Sequence, residues 1–257
     1  MENYETIKIE KDKPILKVIF NRPEKANAMN DKMNKELMHI VSEIKREEDY
    51  KYIIFTGSGR YFSGGADMDE AYENITKRNR SETTIRNDQL DRQDFIKNIE
   101  RLDQITISAI NGPMYGAAFS IGMACDFRIM DESATACLPE AQRGLFYSAG
   151  GTPSLVHLIG PAKAKELIML NKVIGAEEAL RIGFINAISE EGKINSEVYK
   201  IIDKLEESPF PPLRLTKKII NAATPIIGDT LFYEPELQTS ISINNNLSET
   251  ISNFKKK

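Results

Sequence analysis

Few residue types in this chain lend themselves to catalysis. Its 257 residues include two histidines, His39 and His157, and two cysteines, Cys125 and Cys137, with no CxxC or HExxH spacing among them. A structural zinc site takes four nitrogen or sulfur ligands in short paired spacings and a catalytic one usually three, so the pattern argues against a zinc enzyme. Each histidine lies in an apolar stretch, His39 among Met33, Leu37, Met38, Ile40 and Val41, and His157 within Leu155-Val156-His157-Leu158-Ile159. Both read as structural or partly exposed side chains rather than as the base of a Ser-His-Asp triad. Catalysis then falls to carboxylates and to the backbone. Three glycine-rich segments offer the backbone: Tyr61-Phe62-Ser63-Gly64-Gly65-Ala66-Asp67, Asn111-Gly112-Pro113-Met114-Tyr115-Gly116-Ala117-Ala118, and Gly144 through Gly150-Gly151-Thr152. Glycines let the main chain come close to a ligand and leave N–H groups free to donate. The second segment opens an apolar helix, whose N-terminal N–H groups and dipole favour an anion. One donor from each of two such loops would make an oxyanion hole, although each loop alone is better explained as a tight turn. A phosphate loop is not indicated, because GxxxxGK[ST] is absent and Phe62 follows Gly57-x-Gly59 where a third glycine should stand.

The elements that must hold these loops alternate in type. Residues 6–10 and 15–20 read as strands around the Lys11-Asp12-Lys13-Pro14 turn. A helix is predicted over 31–47, with Met33, Leu37, Ile40, Val41 and Ile44 at the helical period. Residues 52–56 form a third strand that ends in the Gly57-Ser58-Gly59 turn, and the theme returns with a strand over 105–110, a turn at Asn111-Gly112-Pro113, an apolar helix over 117–125 and a strand over 127–130. This recurrence predicts an α/β layered core. Residues 67–103 are dense in charge and predict solvated helices beside a cleft, or equally a plain surface insertion. Helical patterns over 197–207, 212–223 and from 229 onward predict a helical C-terminal part, broken at Ser208-Pro209-Phe210-Pro211-Pro212. We divide the chain into a core over 1–195 and a C-terminal helical region over 196–257.

Composition excludes further classes. With 38 acidic and 34 basic residues the net charge is −4, which speaks against a nucleic-acid footprint. No apolar run reaches the length of a membrane span or of a signal-peptide core, so the expected location is the cytoplasm, with reduced thiols and no membrane partner. A chain of this size buries enough apolar surface to fold without metal or disulfide.

Taken together the motifs resemble the enoyl-CoA hydratase/isomerase (crotonase) superfamily over nearly the whole chain. Asn21-Arg22-Pro23-Glu24-Lys25-Ala26-Asn27-Ala28 resembles its first CoA-side motif, Phe62 to Asp67 its first oxyanion loop, and Asn111-Gly112 with Gly116-Ala117-Ala118 through Cys125-Asp126 its second. Pro139-Glu140, Ala149-Gly150-Gly151-Thr152, Ala176-Glu177-Glu178-Ala179 and Gly183-Phe184-Ile185-Asn186 continue the match in order. The resemblance implies a crotonase-like spiral of ββα units with a C-terminal helical trimerisation region. It also implies an acyl-CoA thioester substrate, no cofactor beyond the CoA of that substrate, and assembly as a homotrimer or dimer of trimers. The N–H groups of Ala66 and Ala117 would hold the thioester oxygen, while Lys25, Ala26 and Ala28 together with Ser63, Gly64 and Gly65 would meet the CoA. Losing one such oxyanion donor costs roughly 3–4 kcal/mol.

Hydratases of this superfamily carry two glutamates that hold and split a water. Here the resemblance puts the first of these positions on Ser120 and the second on Glu140. Serine cannot serve as a carboxylate acid or base, and positioned acid–base catalysis is worth about 10²- to 10⁴-fold, so a classical hydratase is disfavoured. One carboxylate suffices to move a double bond, and isomerases of the superfamily resemble this arrangement. The expected reaction is therefore conversion of a 3-enoyl-CoA to a 2-enoyl-CoA with Glu140 as proton shuttle. The alternatives are a hydratase using Glu140 with another polar partner and a non-catalytic acyl-CoA-binding member. Tyr147 and Ser148 stand where hydratases show proline and glycine. A related decarboxylase uses a tyrosine in about this place, but Glu140 would repel its substrate's carboxylate, so Tyr147 is expected to pack at the pocket wall.

Overall fold

The computed structural model describes residues 4–76, 81–148 and 150–223, with 235, 237, 239 and 240. The chain opens with a hairpin of β1 (Ile7–Asp12) and β2 (Ile15–Phe20), followed by α1 (Asp31–Ile44) and β3 (Tyr52–Gly57). Next come α2 (Met68–Thr76), α3 (Glu82–Glu100) and β4 (Ile105–Ile110), then β5 (Met114–Tyr115), α4 (Ala118–Ala124), β6 (Phe127–Asp131) and β7 (Thr135–Cys137). The described chain continues through α5 (Gly151–Met169), β8 (Ile174–Gly175), α6 (Ala176–Arg181), β9 (Ala187–Ser189), α7 (Ile194–Glu206) and α8 (Phe210–Ala223). Six strands form one sheet in the order β1-β2-β3-β4-β6-β9, and β5-β7-β8 form a smaller one. After the antiparallel hairpin every pairing in the large sheet is parallel.

A parallel sheet must be covered on both faces, which is why β3 reads as a nearly unbroken apolar run and every residue of β4, Thr106 and Ser108 included, is buried. Along β3, Ile53 and Phe55 pack with α1 on one side, while Tyr52 and Ile54 turn to the other and meet Ile194, Val198 and Ile202 of α7. Helix α1 starts where Asn30 accepts the N–H of Met33 at 2.9 Å, a side-chain cap on an orphan donor. It stops at Ile44, three residues short of the predicted end. Residues 45–49 offer no apolar side chain to the core, and the Gln104 amide donates to the carbonyls of Ile44 and Glu47 at 3.0 and 2.9 Å, holding the frayed end.

One expectation needs correction, and one helix is not legible in the sequence. The charged stretch 67–103 is not merely a solvated insertion, because the last turns of α3 bury Phe95, Ile96 and Ile99 against the core and also sequester Gln89 and Gln93. Helix α5 is not announced by periodicity, since its apolar residues ring the axis and Gly160, at φ 78°, kinks it before Pro161. The predicted helix from 229 onward lies outside the described residues for the most part. Helix α8 is latched by Lys217, whose buried ammonium pairs with Asp126 at 2.7 Å and donates to the Gln104 carbonyl at 2.7 Å.

Candidate active site

Three loops at the carboxyl ends of β2, β3 and β4 are laced together, and the lacing creates the site. The middle loop, 63–67, bonds to its first neighbour through Gly64 N–H to Ala26 O (2.8 Å), Met29 N–H to Gly65 O (2.8 Å) and Asp67 N–H to Met29 O (3.0 Å). On its other side the N–H of Tyr115 donates to Ser63 O at 2.9 Å and that of Ser63 to Pro113 O at 3.3 Å. Backbone this close leaves no room for side chains. A Cβ on Gly65, whose φ is +85°, would stand 2.6 Å from the Tyr115 carbonyl oxygen. Glycine alone takes that conformation in that space without strain.

The amides of Ala66 and Ala117 are not consumed by this lacing. Among the described residues neither donates to a protein acceptor, while the residues around them do. They are also neighbours: a Cβ at Gly65 would lie 3.4 Å from the Ala117 nitrogen, and one at Gly116 would lie 3.8 Å from the Gly65 Cα. Ala117 is the N-cap of α4, so its free N–H points out of a helix start. Two unspent donors from adjacent loops can bind one developing oxyanion.

Glu140 joins them. It follows β7 and caps a single 3₁₀ turn, Ala141–Arg143. A Cβ on Gly116 would be 2.9 Å from Glu140 Oε1, so the carboxylate lies directly over the second loop and needs the absent side chain. The other oxygen, Oε2, is buried without a hydrogen-bond partner. Burial pushes this carboxyl up to about 7, only partly opposed by a backbone N–H and by the charge of Arg143. A carboxyl near neutrality can both take and return a proton. Thiol chemistry has no such support, since burial holds both Cys125 and Cys137 above the ordinary thiol range.

Ser120 and Tyr147 meet each other. Their hydroxyl oxygens are 2.9 Å apart, and both residues are buried. The Tyr147 ring lies so close to Gly151 that a Cβ there would come within 2.3 Å of Cζ. Its carbonyl accepts from Thr152 Oγ1 at 2.8 Å, and Ser148 donates to Gln89 of α3 at 3.2 Å.

The expected CoA-side residues divide into two kinds. Lys25 is exposed, and its ammonium pairs with Asp69 at 3.0 Å; Ala26 and Ala28 are partly exposed beside it. Ser63 is fully buried, its hydroxyl donating to Asn27 O at 2.8 Å and accepting from Gly65 N–H at 3.2 Å, so it braces the loop from inside. Gly64 is spent on Ala26, as above. Sequence reasoning assigned no role to Asn27, which is fully buried at φ 53°. Its amide donates to Ser58 O and Tyr61 O at 2.9 and 2.7 Å, and its oxygen accepts from Arg22 N–H at 3.0 Å. Arg22 pairs in turn with Asp67 at 2.9 Å. An Asn, which tolerates positive φ better than most residues, was the available signal. His39 and His157 are both exposed and lie apart from these loops.

Volume does not locate the chemistry. Cavities of about 840 and about 880 Å³ lie elsewhere, one between α3 and α8 and one beside the β1–β2 hairpin. Neither is lined by Ala66, Ala117, Glu140 or Tyr147. The convergence of two free amides and a perturbed carboxyl is the better guide.

A six-stranded mixed sheet with a smaller three-stranded one, and glycine-rich loops laced together at strand ends, is a crotonase-type α/β fold. The structure of an enoyl-CoA hydratase/isomerase from Xanthobacter autotrophicus Py2 superposes on 99% of this chain and 94% of its own with a TM-score of 0.88, at 23% identity. The chain belongs to the enoyl-CoA hydratase/isomerase family, whose model matches residues 10–257. It is thus a member of an enzyme family that acts on acyl-CoA thioesters. Among its relatives, a short-chain-enoyl-CoA hydratase of Clostridium acetobutylicum is 33% identical over 230 residues, covering 89% of this chain and 86% of that protein. A crotonyl-CoA hydratase of Syntrophomonas wolfei is 32% identical over 219 residues, covering 85% and 82%.

Proposed function

We propose that this protein moves the double bond of an enoyl-CoA from the 3 to the 2 position, with Glu140 as the single proton carrier. The observation that carries this reading is a buried carboxylate over Gly116, beside two unspent amides, with hydroxyls rather than a second carboxylate at Ser120 and Tyr147. In the forward step Glu140 takes a proton from C2, the acidic carbon between the thioester carbonyl and the C3–C4 double bond, and the C2–H electron pair becomes the C1–C2 π bond. The π electrons of the thioester carbonyl move onto its oxygen, and the C3–C4 π bond stays in place, conjugated with the new one. The dienolate oxygen is held by the N–H groups of Ala66 and Ala117. Collapse of the dienolate returns the carbonyl, the C1–C2 π electrons move to C2–C3, and the C3–C4 π electrons take the proton from Glu140 at C4, leaving the double bond between C2 and C3. No water enters the balance. Because the base must be ionised, kcat/KM rises with pH through about 7.

Hydration is a second reading, favoured by the names of the relatives in Clostridium acetobutylicum and Syntrophomonas wolfei. There Glu140 would activate water with help from a hydroxyl. In either case the reading includes a cytoplasmic homotrimer or dimer of trimers, supported by exposed apolar side chains on α5 and α8 such as Val156, Met169, Leu215 and Ile219. The test offers 3-enoyl-CoA and 2-enoyl-CoA separately, follows bond shift and hydration, and repeats both with Glu140→Gln. The bond shift should fall by about 10²-fold or more in the variant. Full retention of that rate would remove Glu140 from the mechanism, hydration outrunning the shift would favour the second reading, and tight binding with no turnover would make the protein an acyl-CoA binder.

A further inference from the structure

The Ser120–Tyr147 contact has a use that the proton shuttle itself does not. Ser120 lies three residues after Ala117 at the start of α4, so the two share a helix face. Whatever oxygen Ala117 holds, Ser120 stands one turn behind it. Tyr147 reaches that place from the loop before α5, and its ring is fixed from several sides. The backbone of Gly151 lies under it, Thr152 bonds its carbonyl, and the neighbouring Ser148 is tied to α3 through Gln89. The phenol is therefore part of a built wall. Its hydroxyl and that of Ser120 face each other at 2.9 Å, with the residues 2% and 3% exposed.

A water that attacks C3 needs a slot and two to four polar partners to hold it. It also needs a second acid–base group beside Glu140 to help hold and split it. The Tyr147 ring takes up the space between Gly151 and Ser120, and the two hydroxyls engage each other. Neither is a base at neutral pH, since a phenol and an alcohol ionise far above it. Asp67, the carboxylate at the end of the first loop, is committed to Arg22 at 2.9 Å and to the N–H groups of Asp69 and Glu70.

We propose that Tyr147, positioned by Ser120, is a specificity-determining wall that keeps the nucleophilic water out of the acyl pocket, so that the dienolate is reprotonated rather than the enoyl group hydrated. This inference rests on the bond-shift reading of the preceding section. Tyr147 acts here by occupying space, and its hydroxyl fixes the ring against α4. The wall discriminates between two outcomes at one carbon skeleton: a proton added at C4 of the dienolate, or a proton at C2 with hydroxide from water at C3 of the 2-enoyl group.

The test is a ratio of two rates in one enzyme preparation. The bond shift of 3-hexenoyl-CoA and the hydration of 2-hexenoyl-CoA are followed in wild type, Tyr147→Phe and Tyr147→Ala, with oxygen-labelled water reporting incorporation at C3. Tyr147→Phe keeps the ring and should leave the ratio of hydration to shift near that of wild type. Tyr147→Ala opens the slot and should raise the ratio by roughly tenfold, the low end of what reshaping one pocket wall does to selectivity. If Tyr147→Ala does not fold, Tyr147→Leu, which keeps apolar volume and leaves the far end of the slot open, gives the same readout. An unchanged ratio in a folded Ala or Leu variant overturns the wall while leaving the bond-shift reading intact. Loss of the shift by about 10²-fold in Tyr147→Phe also overturns it, because the phenol would then be a reacting acid. A wild type that hydrates faster than it shifts refutes the bond-shift reading and the wall with it.

Discussion

Replacing Glu140 by glutamine tests the electrostatics of the site independently of any substrate. In the folded chain this carboxyl titrates near 7 instead of at its ordinary 4.5, because burial penalises its charged form. The folded state therefore binds more protons than the unfolded one between those two values. Stability from this group is fully present below pH 4.5 and is lost as pH rises through about 7. Its full loss amounts to about 3 kcal/mol, of which about 2.5 kcal/mol falls between about pH 5 and about pH 8.5. Glutamine stays neutral throughout. At the acid end it is close to isosteric with the protonated glutamic acid and inherits the same unpartnered position at Oε2, so the two proteins should unfold alike. At the alkaline end the variant should be the more stable by that 2.5 kcal/mol, or roughly 5–10 °C in Tm for a chain of this size. Differential scanning calorimetry of both proteins across the range reads the difference directly, and other titrating groups cancel in the comparison. A wild type that gains stability over the variant as pH rises would refute the reasoning, as would parallel curves. Either result would mean that the Glu140 charge is solvated or paired rather than buried.

Two further outcomes follow from the packing. Gly116→Ala puts a Cβ 2.9 Å from Glu140 Oε1 at φ +55°, so the carboxylate must move; kcat should fall by about 10²-fold, as misplacing a reacting group by an ångström does, with a smaller change in KM. Lys217→Ala leaves the Asp126 carboxylate beneath α8 with its Thr106 hydrogen bonds but no counter-charge, and should cost about 3 kcal/mol in urea unfolding. Part of that loss should return in Lys217→Met combined with Asp126→Asn, and a loss under about 0.5 kcal/mol would show the pair to be solvated.

Most of what the sequence determined here is local. The short β-branched and aromatic run of β3, closed by a glycine turn, reads as a buried strand, the helical period of Met33 to Ile44 names the face of α1 that meets the sheet, and glycines at 65 and 116 announce backbone that no side chain could share. Each follows from sterics or periodicity within a few residues. Burial over longer spans was less legible. The buried face of α3 is hidden because glutamines take part in it, and α5 has no polar side to reveal its period. Tertiary structure alone decided which groups meet. That the Ala66 and Ala117 amides are left unspent depends on how three separate loops hydrogen-bond to one another. That Glu140 lies over Gly116 with one oxygen buried and unpartnered depends on the return of the chain through β7. A serine at 120 and a tyrosine at 147 were visible as departures from a motif, but their contact across 27 positions was not. The physical reason is common to all three: hydrogen bonding and desolvation act between atoms a few ångströms apart, and only the folded path of the chain determines which distant residues come that close.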